Sequence, residues 1–430
     1  MYTPQRLFGE VRSSSEILIH EPFLERARLQ REQERDGQAR LALGAYIVAR
    51  LVDKLLTVQE NQDGFEDFRW QLEAVRRHVG ELPADAPETA HLAGVVDGIP
   101  AEGPPTARLW KSLTAYAYFL EHEARFDESL EVLNLAARAQ GKETSTGEYA
   151  SYALFAGRLN RQLTRWDIAN ACYNAAEEAA AVSGDSLTAL RAGLGRGAVQ
   201  RGQGNYPAAR TTTETVLSKA LELGIPEAQA MAYADLGVIY SVQGNRLAAL
   251  ESHYKAFRLT PDPVQRMRVL GDLALGLSEI GAYEPARLGF QIVVESNASV
   301  EVRTNALLEL MDLESAVGNR VAFERYRAAA EQYRSRMSPR MTVDYLYKVG
   351  VGLLRFGQAS RARSSFETAL EMAERHQLNA WVFKIESAMN KLSDGQDRAS
   401  APNPASELSA APVVREMEEG LREYALASAT

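Results

Sequence analysis

The run Tyr233-Ala234-Asp235-Leu236-Gly237-Val238-Ile239-Tyr240, followed by Gly244, Ala249, Ala256 and Pro261, decides the fold of this chain. It reads as two helices joined by a tight turn. The first, helix A, is expected from about Glu227 to Val242, with Leu236 and Tyr240 inward on the i, i+4 spacing of one helical face. Gly237 has no side chain, so a neighbouring helix can press against helix A there. Gly244 is expected to end helix A in the left-handed conformation, which costs glycine no steric strain. Helix B is expected from Leu247 to Leu259, with Ala249 and Ala256 as small contact points and Pro261 as its stop.

The pattern recurs. Aligned on the residue that opens helix B, the copies fall at Ser129, Ala169, Ala209, Ala249, Ala286, Phe323 and Ala362, spaced 40, 40, 40, 37, 37 and 39 residues apart. Seven residues later stand Ala136, Ala176, Val216, Ala256, Val293, Ala330 and Ala369; twelve earlier stand Ala117, Gly157, Gly197, Gly237, Ala274, Met311 and Gly350. Both columns are almost wholly small, as close helix packing requires. The order Y-x2-L-G-x2-Y, then A, A and P, resembles the tetratricopeptide repeat, whose signature has Trp in the first position and an aromatic where this unit carries His253. Units of 37–40 residues exceed the usual length of about 34 by roughly one helical turn, as in bacterial regulator and adaptor members of that family. The fold class expected is all-α: a right-handed solenoid of about seven hairpins with extra N-terminal helices and a tethered C-terminal helix.

A solenoid grows without a single core, so the period accounts for most of the 430 residues. A formal net charge of −9 argues against nucleic acid or an anionic membrane as a partner. No run of about 18 apolar residues occurs, since Leu41–Val58 is interrupted by Arg50, Asp53 and Lys54. The single cysteine, Cys172, rules out an intrachain disulfide framework and reads as a buried, inert thiol in a reducing compartment. With no secretory h-region after Met1, the expected location is the cytoplasm.

Residues 1–80 read as an N-terminal helical segment, with a helical pair over 41–79 that Phe68 marks as a degenerate repeat unit. That block has neither a concentrated basic recognition helix nor a three-to-four-residue turn, which argues against a DNA-reading helix-turn-helix. Residues 81–106 carry Pro83, Pro87, Pro100, Pro104 and Pro105 and read as a linker with a short helix over Glu88–Val96. The repeat array is placed at 107–392, a flexible linker at 393–412, and an amphipathic helix at 413–430 with Val414, Met417, Leu421 and Tyr424 on one face. That last helix is expected to cap the last repeat; being acidic, it is also a candidate ligand for the repeat groove, in cis or from a second chain in a homo-oligomer.

No catalytic constellation is present, and no cofactor or metal is expected: six histidines are scattered over different units, without His-Glu-x-x-His or clustered Cys/His spacing. Gly193-Leu194-Gly195-Arg196-Gly197 lacks the Gly-Lys-Ser/Thr ending of a phosphate loop and lies in a helix A, so close packing explains it. The family resemblance implies a concave surface lined by helix A residues. The matching positions are Lys111, Tyr118, Leu154, Arg158, Arg161, Arg191, Leu194, Arg201, Met231, Val238 and Arg268, with Leu275, Leu308 and Tyr347 beyond. Arginine forks bind carboxylates and apolar patches take alternate side chains, so the groove is expected to hold an acidic, partly apolar segment of another protein. The competing reading is that these arginines pair with Asp and Glu on adjacent helices. Two functions follow: a non-enzymatic adaptor or scaffold, or a peptide-sensing regulator whose array controls an N-terminal output segment. They differ in whether residues 1–80 continue the array or stand as a separate module.

Overall fold

The computed structural model describes residues 20–61, 65–140, 145–393 and 407–428, and every regular element among them is a helix. The chain divides into two compact units, Met1–Val216 and Leu217–Thr430. The first holds α1 (Glu21–Glu32), α2 (Asp36–Asn61), α3 (Phe65–Gly80) and α4 (Pro87–Gly98), then the hairpins α5 (Ala107–His122) with α6 (Phe126–Gln140) and α7 (Thr146–Gln162) with α8 (Trp166–Ser183). A third hairpin pairs α9 (Ser186–Gly202) with α10 (Tyr206–Glu222), and the division falls within α10. The second unit continues with α11 (Pro226–Val242) and α12 (Arg246–Leu259), α13 (Pro263–Glu279) and α14 (Tyr283–Glu295), and α15 (Val300–Ala316) and α16 (Arg320–Glu331). It closes with α17 (Pro339–Arg355), α18 (Ala359–Arg375), α19 (Asn379–Ser393) and α20 (Pro412–Ser428). Helices α5 to α18 are therefore seven tetratricopeptide-like hairpins, in the places the period set for them.

All three columns of recurring positions are buried. The glycines of helix A are there to admit a ring from helix B: a Cβ on Gly157 would stand 2.7 Å from Tyr173, on Gly237 2.5 Å from His253, and on Gly350 2.5 Å from Phe366. Phe323, which replaces the small residue of the sixth unit, is admitted by Gly352 on the following A helix, where a Cβ would collide with its ring. The Gly193–Gly197 run is explained in the same way, since Cβ atoms on Gly193, Gly195 and Gly197 would meet Val216, Tyr173 and Thr213. Small and large residues thus interlock at native packing density.

The turn inside each hairpin also repeats. Gly204, Gly244, Gly281, Gly318 and Gly357 take positive φ, while Ala124 and Thr164 hold the same place at φ 57° without glycine's freedom. After three of these glycines, Asn205, Asn245 and Asn319 cap the next helix by accepting a backbone N–H. Glu34, at φ 56°, closes the α1–α2 turn with the bond from Arg35 N to Gln30 O, the counterpart of Asn245 N to Tyr240 O. So α1 and α2 form a hairpin with the repeat's own turn, where the sequence had suggested a pair starting only at residue 41. Within 81–106, α4 begins with Pro87, a residue tolerated in the first turn, and buries Leu92, Val95 and Val96. The linker expected over 393–412 falls, for residues 394–406, outside the described residues, as do residues 1–19.

Each unit carries one terminal helix laid on its hairpins. In the first, Arg26 of α1 donates to Glu88 at 3.0 and 3.2 Å and pairs with Glu128 at 2.9 Å. Arg125 forks onto Glu88 at 2.7 and 2.9 Å and also pairs with Glu128, and the Tyr116 hydroxyl donates to Glu88 at 2.7 Å. In the second, α20 buries Val414, Met417 and Leu421 and sets Tyr424 edge-on to Phe257 at 5.1 Å. Gly420 lets Tyr254 approach so closely that a Cβ there would lie 2.0 Å from its hydroxyl. Helix α20 therefore lies against α12 and α14, both B helices of mid-array hairpins. It neither caps the last repeat nor sits on the A helices. Tyr254, Phe257 and the attraction of Arg258 for Glu423 and Glu416 match its apolar stripe and acidic edge there.

Candidate functional site: the A-helix faces

Residues three, four or seven apart on a helix share a side, which is why Lys111 and Tyr118 on α5, Leu154, Arg158 and Arg161 on α7, and Arg191, Leu194 and Arg201 on α9 fall in stripes. In the first unit the centre of that face is a platform of rings and one guanidinium. Tyr118, 44% exposed, stacks on Phe155 with ring centroids 4.3 Å apart. Arg158 lies over both, at 4.8 Å from Phe155 and 5.9 Å from Tyr118, and forks onto Glu121 at 2.5 and 2.8 Å. Its carboxylate partner is thus supplied by the preceding A helix. Arg161 lies close to the Tyr173 hydroxyl. Lys111 is exposed, with Nζ 5.4 Å from the Trp110 ring. Arg191, near Asp185, and Arg201 are half-buried, as is Leu154, whereas Leu194 is 3% exposed and offers no surface to a ligand.

In the second unit, Met231 of α11 and Arg268 and Leu275 of α13 are exposed, and Val238 is half-buried. Further along, α15 and α17 are tied by charges absent from the expected set. Lys348 donates to Glu309 at 2.6 Å and Asp344 at 3.0 Å, and Arg355 reaches Asp312 at 2.7 Å and the Ser315 hydroxyl at 2.6 Å. Lys384 lies over Tyr347 at 4.4 Å and Trp381 at 4.5 Å, where partial burial lowers its pKa below the ordinary lysine value. A signal for these pairs did exist: Glu121–Arg158 and Glu309–Lys348 are 37 and 39 residues apart, one repeat period, with opposite charges on successive A helices.

Between α11, α12 and α13 lies a recess of about 150 Å³, lined among others by Val238, Ser241, Leu250, His253, Asp272 and Leu275. His253 is 5% exposed, its Nδ1 has no hydrogen-bond partner, and burial brings its pKa down to about 4. Asp272 still meets solvent, yet the protein crowded around it pushes its carboxyl up to about 6, with Arg268 pulling the other way. Another recess, about 570 Å³, opens between α2 and α3 beside Tyr46, Arg50, Asp53 and Lys54. Cys172 is buried, which pushes its thiol up to about 12, so it stays protonated and unreactive at neutral pH.

Among the described residues no group of three or more His, Cys, Asp or Glu could hold a metal ion. No helix among them is long and apolar enough to cross a membrane. No protein-family model matches the sequence, and no curated protein shows significant similarity to it. Among solved structures, the chain is similar to the apo form of the quorum sensor NprR from B. thuringiensis, with 13% identity and a TM-score of 0.49 over 82% of this chain and 97% of that one. It is also similar to NprR in complex with its cognate peptide NprX, with 14% identity and a TM-score of 0.43 over 88% and 100%. A Signal Transduction ATPase with Numerous Domains protein with a tetratricopeptide repeat sensor, from Pyrococcus horikoshii, matches at 13% identity and a TM-score of 0.49 over 89% and 55%. These likenesses are distant, and the repeat assignment rests on the hairpins, columns and turns of this chain.

Proposed function

We propose that the chain is a non-enzymatic adaptor acting in the cytoplasm, whose A-helix faces hold a segment of a partner protein. The observation that carries this reading is Tyr118, an exposed ring held in place by stacking on the buried Phe155 ring, with the half-exposed Arg158 guanidinium fixed beside it. Aromatic and arginine side chains presented rigidly are what anchor a peptide, because little side-chain entropy is lost when it lands. Since Glu121 occupies the Arg158 fork, the attraction for an acidic segment falls to Lys111 and Arg161 on the same helices.

The alternative, a regulator with a detached N-terminal output module, is disfavoured by the packing of α1 to α4. Phe23, Leu55, Phe68 and Leu92 belong to the same core as Leu113, Ala136 and Tyr173 of the hairpins.

Selection of a random peptide library on the purified chain tests the proposal. Enriched sequences should carry an apolar or aromatic residue beside Asp or Glu. The Tyr118→Ala variant should bind them at least tenfold more weakly, and Lys111→Glu with Arg161→Glu should remove the acidic preference. Absence of enrichment, or equal binding by Tyr118→Ala, would overturn it.

A further inference from the structure

The recess between α11, α12 and α13 has a composition that the packing of hairpins does not call for. Its apolar wall includes Val238, Leu250 and Leu275, while Ser241, His253 and Asp272 are among its polar groups, with Arg246 and Glu279 beside them. Its volume of about 150 Å³ matches that of a cavity able to hold benzene. His253 stands in the slot that Tyr173 and Phe366 fill in other hairpins, against Gly237 as they stand against Gly157 and Gly350. A phenyl ring would satisfy packing there, yet the chain has placed a ring with nitrogen atoms, nine-tenths buried, and left Nδ1 without a partner. A buried polar atom left unpaired costs stability unless a ligand or water meets it.

We infer that this recess is a binding site for a phenol-like group, its ring between Val238, Leu250 and Leu275 and its hydroxyl donating to His253 or Asp272. Three features select that chemistry. The Asp272 carboxylate is an acceptor and the neutral imidazole has one accepting and one donating nitrogen, so a hydroxyl, which can both donate and accept, is favoured over a bare hydrocarbon. Asp272 and Glu279 at the recess repel anions. Arg246, the cation among the lining residues, is engaged with the Glu279 carbonyl at 3.2 Å. The group could come from a free small phenol or from a tyrosine of a bound segment; in the second case the inference rests on the peptide reading above.

The test is nuclear magnetic resonance of the full chain with 13C-labelled histidine, the His253 ring signal being assigned by its loss in His253→Phe. Titration with p-cresol at pH 7 should move that signal saturably, and toluene should bind at least tenfold more weakly. His253→Phe with Asp272→Asn, observed through 13C-labelled methyls of Val238, Leu250 and Leu275, should bind the two probes within twofold of each other. If N-acetyltyrosinamide also shifts His253, a peptide side chain fits; if p-cresol binds and the amide does not, the site serves a free phenol. Equal affinity of p-cresol and toluene for the wild type, or no movement with either, overturns the inference. The Tyr118→Ala result is independent of that outcome.

Discussion

The two terminal helices solve the same problem with opposite chemistry. Helix α1 sets one ring, Phe23, in the core and is fixed by two half-buried arginines on two buried glutamates, while α20 is fixed by Val414, Met417, Leu421 and the Tyr254–Gly420 approach. A buried ionic cluster is specific but unforgiving, because removing one member strands the opposite charges out of water. An apolar stripe loses contact area in proportion to what is cut away. Burial pushes the Glu88 carboxyl up, but the hydrogen bonds and charge of Arg125, then Arg26 and Tyr116, outweigh it and hold Glu88 below the ordinary carboxylate value. Burial wins at Glu128, whose carboxyl is raised. The comparison teaches that a buried ionic cluster fixes the register of α1, whereas α20 rests mainly on its apolar stripe, with Arg258 attracting its acidic edge.

The largest effect should come from breaking the ionic lock. Glu88→Ala leaves Arg26 and Arg125 facing each other across Glu128, and should cost about 3–5 kcal/mol, read as faster hydrogen exchange in α1 and α4 and a lower urea midpoint for the first unit. A loss under about 1 kcal/mol would mean that water already solvates the cluster.

Acidification should separate the two units next. Burial holds His253 at about 4 against an ordinary value of 6.5, so between those values the folded chain binds fewer protons than the unfolded one. Stability contributed by neutral His253 is complete above pH 6.5 and lost as pH falls toward 4, by about 3 kcal/mol. Asp272, raised to about 6, acts in the opposite sense over the same range, so the His253 contribution is the difference between variants, with His253→Phe less acid-sensitive than the wild type in the second unit. Glu88, with its lowered pKa, gives stability that is present above its unfolded value of 4.5 and lost only below it, so the α1 lock should outlast the His253 effect on the way down. Equal acid sensitivity of the wild type and His253→Phe would contradict the assignment.

A smaller effect is expected at α20. Leu421→Ala should weaken its docking by about 2 kcal/mol, raising exchange over 412–428 while the hairpins keep their protection. If the hairpins loosen too, α20 is part of their core and not a helix laid on it. The smallest effect concerns the turns: Ala124→Gly and Thr164→Gly relieve a left-handed alanine and threonine, and each should raise the thermal midpoint by a gain of about 0.5–1 kcal/mol. The same change has no counterpart at Gly244 or Gly281, where glycine is already present.

The hairpins were legible because each depends on neighbours close in sequence. Helices A and B of the reference unit begin at Pro226 and Arg246, each one residue before its expected start. Hairpin α1–α2 escaped notice because Glu34 takes the left-handed turn without a glycine to announce it. In the candidate site, the stripes Lys111–Tyr118 and Leu154–Arg161 could be read from helical spacing. That Leu194 points inward and that Glu121 occupies Arg158 could not, since both depend on how successive A helices rotate against each other.

By itself the sequence determined the all-α repeat, its period, its small-residue columns and its glycine turns, because these follow from backbone sterics and from contacts within about forty residues. Tertiary structure alone decided where α1 and α20 come to rest, which charges meet in the Arg26–Glu88–Arg125–Glu128 cluster, and that His253 lines a recess. Such pairings join residues far apart in the chain. Their energies depend on burial and on the exact approach of two surfaces, quantities that exist only once the helices have packed.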